Sequence, residues 1–147
     1  LSQEEKKILI LTRNNAQVML KEYKLDGVQT SLIHADAIRE NVFIGKKGLT
    51  LIDFDDCGYG FPLYDLATAT IQSLGEKNYQ NRCDAILEGY GKERSLSQAD
   101  INLFPTFAML RVLATSAWII PRAPVGSSVI EVYKKRALKE AIKFLKK

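Results

Sequence analysis

Residues 42–52 place the tightest constraint on how this chain can fold. Val42-Phe43-Ile44 and Leu49-Thr50-Leu51-Ile52 are β-type apolar runs on either side of Gly45-Lys46-Lys47-Gly48. Two glycines supply the positive φ that a reversing chain needs, so the segment predicts a β-hairpin. A hairpin brings its outer ends together. Asn41, at the start of one arm, then lies beside Asp53, at the end of the other, with Asp36 on the loop just before them. Carboxylates that terminate apolar runs are costly unless something positive uses them. Oxygen donors grouped in this way suit a hard cation. Mg²⁺ takes one or two protein oxygens and fills its other positions with phosphate oxygens and water.

The order of these residues carries a more specific signal. His34-Ala35-Asp36 is followed by Asn41, then by Ile52-Asp53-Phe54-Asp55, then by Tyr64-Asp65-Leu66-Ala67. This series resembles the catalytic loop, metal-binding segment and following helix start of the aminoglycoside phosphotransferase/choline kinase-like family. That family shares the protein-kinase-like fold, in which an H-R-D loop with its Asn precedes D-F-G. The shared pattern covers roughly residues 32–67, and four elements in the right order and spacing are far more specific than any one of them.

The resemblance implies a role for each matching residue. Asp36 would be the catalytic Asp, orienting the acceptor hydroxyl and taking its proton. Asn41 and Asp53 would hold Mg²⁺ bridging the phosphates of ATP or GTP, with Asp55 as an extra metal or water ligand. His34 stands with Asn41 and Asp53 on the nucleotide side and would brace the loop. Asp65 would open the next helix and hydrogen-bond back to the loop. Phosphoryl transfer needs in-line positioning and charge neutralisation more than covalent help, and a hairpin holds such groups with little freedom.

Some positions depart from the pattern. Ile38 stands where protein kinases often carry a Lys facing the γ-phosphate, which points to a small-molecule acceptor. Ala35 replaces the usual Gly, a mild change if the backbone there does not need positive φ. Nothing in these residues resembles the β-rich lobe that covers the nucleotide in such kinases. The expectation is therefore a single domain, residues 1–147, that forms the C-terminal lobe of a longer kinase-like protein and is inactive by itself. Its N-terminal lobe would then be a partner within the same protein.

Around the hairpin the sequence is helical, so the expected fold is mainly α with a small β-hairpin (α+β). Ser2-Gln3-Glu4-Glu5 is a capping-box pattern opening a helix that runs to about Tyr23 and stops at Asp26-Gly27. Further helices are expected over 64–74, closed by Gly75, and over 79–90, closed by Gly91. Ser97 and Asp100 form a second capping box ahead of the apolar stretch 101–120, whose apolar residues are too many for one face. Trp118 is counted among that buried set. Pro121 and Pro124 interrupt the pattern, and Ser127 or Ser128 restarts it toward Lys147.

Composition bears on partners and setting. With 147 residues, 46% hydrophobic and 26% charged, the chain can build one core. The formal net charge of +4 comes largely from a terminal helix whose bases read as a solvated face, so no nucleic-acid partner is expected. No membrane span or signal peptide is expected either. Cys57 and Cys83 lack metal-type spacing, and reduced thiols in a cytoplasmic protein are the expectation. The functional expectation is ATP-dependent phosphorylation of a hydroxyl on a small molecule such as an aminoglycoside, choline or a homoserine-like acceptor. The alternative is a non-catalytic kinase-like binding or regulatory module.

Overall fold

A computed structural model describes residues 1–25, 27–28, 30–46 and 48–146. Asp26, expected in the stop of the first helix, Lys47 of the hairpin turn and Lys147 lie outside the described residues. In chain order the elements are α1 (Gln3–Leu25), β1 (Ser31–Ile33), β2 (Val42–Gly45), β3 (Gly48–Leu51), β4 (Gly58–Gly60), α2 (Pro62–Thr70), α3 (Tyr79–Glu93), α4 (Gln98–Ile119) and α5 (Ser128–Leu145). The fold is mainly α with small antiparallel sheets. The chain divides into two compact units, one of residues 29–108 and one of 1–28 with 109–147.

In the 29–108 unit, β2 and β3 pair antiparallel with Val42 opposite Leu51 and Ile44 opposite Leu49. This is the expected hairpin, and Ile52 N–H extends its ladder by donating to Asn41 O at 3.1 Å. A second antiparallel pair, which the apolar pattern did not announce, joins β1 to β4 with Ile33 opposite Gly58 and Ser31 opposite Gly60. Its strands have three residues each, too short for an alternating signal. The pair clasps the two ends of segment 34–57 together at its base. Gly60 packs closely on this pair: a Cβ there would stand 2.5 Å from Ile33 Cδ1, so that side chain would have to shift.

Below the sheets, Leu63, Ala67 and Ile71 are buried, as are Leu103, Phe104 and Phe107. Phe61 meets Phe107 with ring centroids 5.7 Å apart at a 58° tilt, a favourable edge-on arrangement. α2 begins at Pro62, two residues before the expected start, because proline is pre-organised for the first helical position. A 3₁₀ turn over Ile71–Ser73 continues it, and Gly75 follows at φ 95°. α3 runs on through Gly91 to Glu93; that glycine does not end the helix, because the Arg94 N–H bonds back to Tyr90 O and carries the last turn further.

In the other unit α1 packs on α5, where the small side chains of Ala16, Ala137 and Ala141 are buried. The first capping box forms as expected. Ser2 N–H donates to Glu5 Oε2 at 2.6 Å, and Glu5 N–H donates to Ser2 Oγ at 3.1 Å. The second forms between Ser97 and Asp100, and Ser127 caps α5 by accepting from Val129 N–H. Cys57 is exposed and Cys83 buried, and both are free thiols.

One expectation about α4 is corrected. Trp118 is 62% exposed rather than buried. Its ring lies 4.5 Å beneath the Arg122 guanidinium, which also donates to Trp118 O, and this contact holds it at the surface. The helical stretch Gln98–Arg122 contains an 18-residue window of mean hydropathy 1.6, long and apolar enough to cross a membrane. Leu103, Phe104, Phe107, Met109 and Val112 along it are buried within the protein, the pattern of a core helix.

Candidate active site

Segment 34–41 is held by side chains from α2 and from the hairpin base. Asp65, in the first turn of α2, accepts from the backbone N–H of His34 and of Ala35, each at 2.7 Å. One carboxylate thereby binds both amides with both oxygens, a charge-assisted pairing. It fixes a tight bend in which Ala35 takes φ 64°. The backbone does need positive φ here, so alanine in place of glycine carries a strain of about 1 kcal/mol.

His34 is buried. Its Nε2 lies 2.8 Å from Ile52 O, and its Nδ1 accepts from Asp36 N–H at 3.3 Å. Those partners assign the ring proton to Nε2. Its ring meets that of Phe54 at a centroid distance of 4.5 Å and a tilt of 47°. With both ring nitrogens engaged by backbone, His34 ties the loop to the hairpin exit.

Asn41 is buried at the start of β2. Its Nδ2 donates to Asp36 O at 3.0 Å and to Asp36 Oδ2 at 3.2 Å. The Asn41 amide nitrogen is thus committed to Asp36. Asp53 follows directly after Ile52, whose N–H binds Asn41 O, so Asn41 and Asp53 share one end of the hairpin as expected. Asp53 is exposed and takes φ 63°, a second left-handed non-glycine residue in this small region. Such conformations cost energy and gather at functional positions.

Asp55 behaves differently from the sequence reading. The chain after Asp53 is not extended: Asp55 and Asp56 lie in a turn closed by Cys57 N–H to Phe54 O at 3.0 Å. The strand alternation that would align Asp55 with Asp53 does not operate there. Among the described residues no three His, Cys, Asp or Glu side chains converge as a cation cage.

Gln72 was not singled out by sequence. Its Oε1 accepts from Arg39 N–H at 3.0 Å and its Nε2 donates to Glu40 Oε2 at 2.5 Å. That bond holds the Glu40 carboxyl below the usual carboxylate range. The available signal was its spacing of seven residues from Asp65, which is two helical turns and therefore one face.

Comparison with known proteins identifies the family and the fold. A family model described as "Phosphotransferase enzyme family" matches residues 3–100. A homoserine kinase of Rhodopseudomonas palustris (strain BisB5) is 32% identical over 111 residues, covering 71% of this chain and 34% of that protein. An uncharacterized protein of Deinococcus radiodurans is 33% identical over 92 residues, covering 59% of this chain and 27% of that protein. Among solved structures, a microcompartment-associated aminopropanol kinase superposes with a TM-score of 0.77 at 26% identity, over 97% of this chain and 44% of that one. The amicoumacin kinase hAmiN, solved with AMP-PNP, Ca²⁺ and Ami, superposes with a TM-score of 0.78 at 19% identity, over 97% of this chain and 46% of that one. The chain thus spans less than half the length of these relatives. With two thirds of its residues matched by the family model and its kinase-like fold shared with these enzymes, the chain belongs to the phosphotransferase enzyme family.

Proposed function

We propose that this chain is the C-terminal lobe of a nucleotide-dependent kinase that phosphorylates a hydroxyl of a small molecule. The observation that carries the reading is the Asn41 side chain, whose two hydrogen bonds to Asp36 bind a carboxylate and a potential metal ligand into one rigid unit. Asp36 orients the acceptor hydroxyl and takes its proton as the phosphoryl group arrives. Asn41 Oδ1 and the Asp53 carboxylate hold Mg²⁺, and Asp55 joins through water, since its turn takes it out of line with Asp53. Bound Mg²⁺ supplies charge neutralisation on the phosphates of ATP or GTP. Asp65 and His34 fix the backbone on which Asp36 stands.

The hairpin surface supports a covering lobe. Phe43, Ile44, Leu49, Leu51 and Ile52 are all exposed, from 42% to 86%. Ile44, Leu49 and Leu51 share one face of the hairpin, and an exposed apolar patch of that kind marks a place where another protein surface or a ligand packs. The missing N-terminal lobe and the nucleotide base are its occupants in this reading. The named activities of the relatives make amino alcohols the first acceptors to try, followed by aminoglycosides and choline.

The test uses the full-length protein with Mg-ATP or Mg-GTP and a panel of such hydroxyl compounds, with product read by mass spectrometry. Transfer to at least one acceptor is expected, and Asp36→Ala abolishes it while the melting temperature stays near wild type. No turnover with any acceptor, or near-wild-type turnover in Asp36→Ala, refutes the reading.

A further inference from the structure

We infer that Gln72 is a positioning residue that latches the far end of the 34–41 loop and so sets the Asp36–Asn41 pair for phosphoryl transfer. The inference rests on the phosphotransferase reading of that pair. Asp65 and Gln72 stand on one face of the helical segment formed by α2 and its 3₁₀ extension. Asp65 holds the entry of the loop through the amides of His34 and Ala35. Gln72 holds its exit through Arg39 N–H and the Glu40 carboxylate. The loop is therefore pinned at both ends from a single helical rail.

The chemistry of the second pin is selective. A backbone N–H needs an acceptor and a carboxylate needs a donor, and the two must be met side by side. A primary amide presents both in one plane, which neither a carboxylate nor an aliphatic side chain can do. The required pairing also fixes the orientation of the amide, with Oε1 toward Arg39.

The latched residues lead directly into the site. Arg39–Asn41 form a single 3₁₀ turn in which Asn41 N–H bonds Ile38 O at 3.0 Å. The orientation of that turn sets where the Asn41 amide sits. That amide in turn holds Asp36 with Nδ2. Gln72 touches no reacting atom, so its effect passes through geometry. Displacements well below the size of an atom at reacting groups change rates steeply.

The experiment compares wild type, Gln72→Leu, Gln72→Glu and the exchanged pair Glu40→Gln/Gln72→Glu, all in the full-length protein. Amide hydrogen exchange at Arg39 and steady-state kinetics with the acceptor found for wild type are measured together. Gln72→Leu is expected to speed Arg39 exchange roughly tenfold and to lower kcat about tenfold, with KM for the acceptor unchanged. Gln72→Glu behaves similarly, because it sets two carboxylates against each other. The exchanged pair recreates a donor at position 40 and an acceptor at position 72, and it restores both readouts to within about threefold of wild type. Unchanged Arg39 exchange in Gln72→Leu, unchanged kcat in an active protein, or no recovery in the exchanged pair overturns the inference. A wild type without turnover overturns the phosphotransferase reading instead, and Arg39 exchange still decides by itself whether the latch exists.

Discussion

Replacing Asp65 with Asn removes one charge and almost no volume, yet the geometry around it predicts a large loss of stability. The carboxylate accepts from two backbone amides at 2.7 Å, one on each oxygen. Hydrogen bonds to a charged partner contribute roughly 1.5–3 kcal/mol each. Asparagine keeps one acceptor oxygen, now uncharged, and turns an NH₂ group toward the other amide. One charged bond is lost, the second weakens, and a partly buried N–H faces a donor. The expected cost is about 2–4 kcal/mol. Asp65→Ala loses both bonds, but it also frees Ala35 to leave its left-handed conformation, which returns about 1 kcal/mol. The two variants should therefore lie within about 2 kcal/mol of each other. For a chain of this size each kcal/mol moves the melting temperature by about 2–4 °C, so Asp65→Asn should melt roughly 4–15 °C below wild type. Urea denaturation at neutral pH measures the same quantity independently, with Asp56→Asn as a control at an exposed turn position expected to stay within about 0.5 kcal/mol. If Asp65→Asn also stayed within about 0.5 kcal/mol of wild type, the double tether would not be what holds the loop.

Three further outcomes follow from neighbouring features. Ala35→Gly removes the strain at φ 64° but adds freedom to the unfolded chain, so a thermal melt should show a net change between zero and about 1 kcal/mol of stabilisation. Phe107→Ala empties a site that is 2% exposed and tilted against Phe61, and denaturant unfolding should register a loss of about 3–5 kcal/mol. The Ser2 amide, and then the Lys134 ammonium, hold the Glu5 carboxyl below the usual range. A lowered folded value means stability that is present above the unfolded value, about 4.3, and lost as pH falls through the folded one. The gap in melting temperature between wild type and Glu5→Gln should accordingly shrink as the pH is taken down through that window.

The hairpin and the capping boxes were legible because each is a local event. Gly45 and Gly48 flank the turn between apolar runs, and Ser2 with Glu5 satisfies amides three residues away. The nearness of Asn41 and Asp53 was legible for the same reason, since a hairpin fixes the proximity of its own ends. What stayed hidden depends on partners distant in sequence. The β1–β4 clasp joins strands of three residues separated by most of the site. Gln72 finds its amide and carboxylate more than thirty residues upstream. Ala35 looked harmless because composition does not report φ, and the demand for a left-handed residue comes from Asp65 gripping two consecutive amides. Trp118 was misassigned to the core because hydropathy cannot see that a guanidinium one turn away will hold the indole outside.

The division of the chain has a consequence for the order in which it assembles. Residues 29–108 form a compact unit from one continuous stretch, whereas the other unit joins residues 1–28 to 109–147. α1 leaves the ribosome before the middle unit but finds α5 only after residues 109–147 have followed. Closing a flexible loop of some eighty residues costs on the order of 4 kcal/mol in chain entropy beyond that of a minimal loop. If the middle unit has already folded, that loop is a preformed spacer and most of this entropy has been lost beforehand. Vectorial synthesis therefore favours a sequence of events in which the segment bearing Asp36, Asn41 and Asp53 matures before the helices at the two ends of the chain find each other.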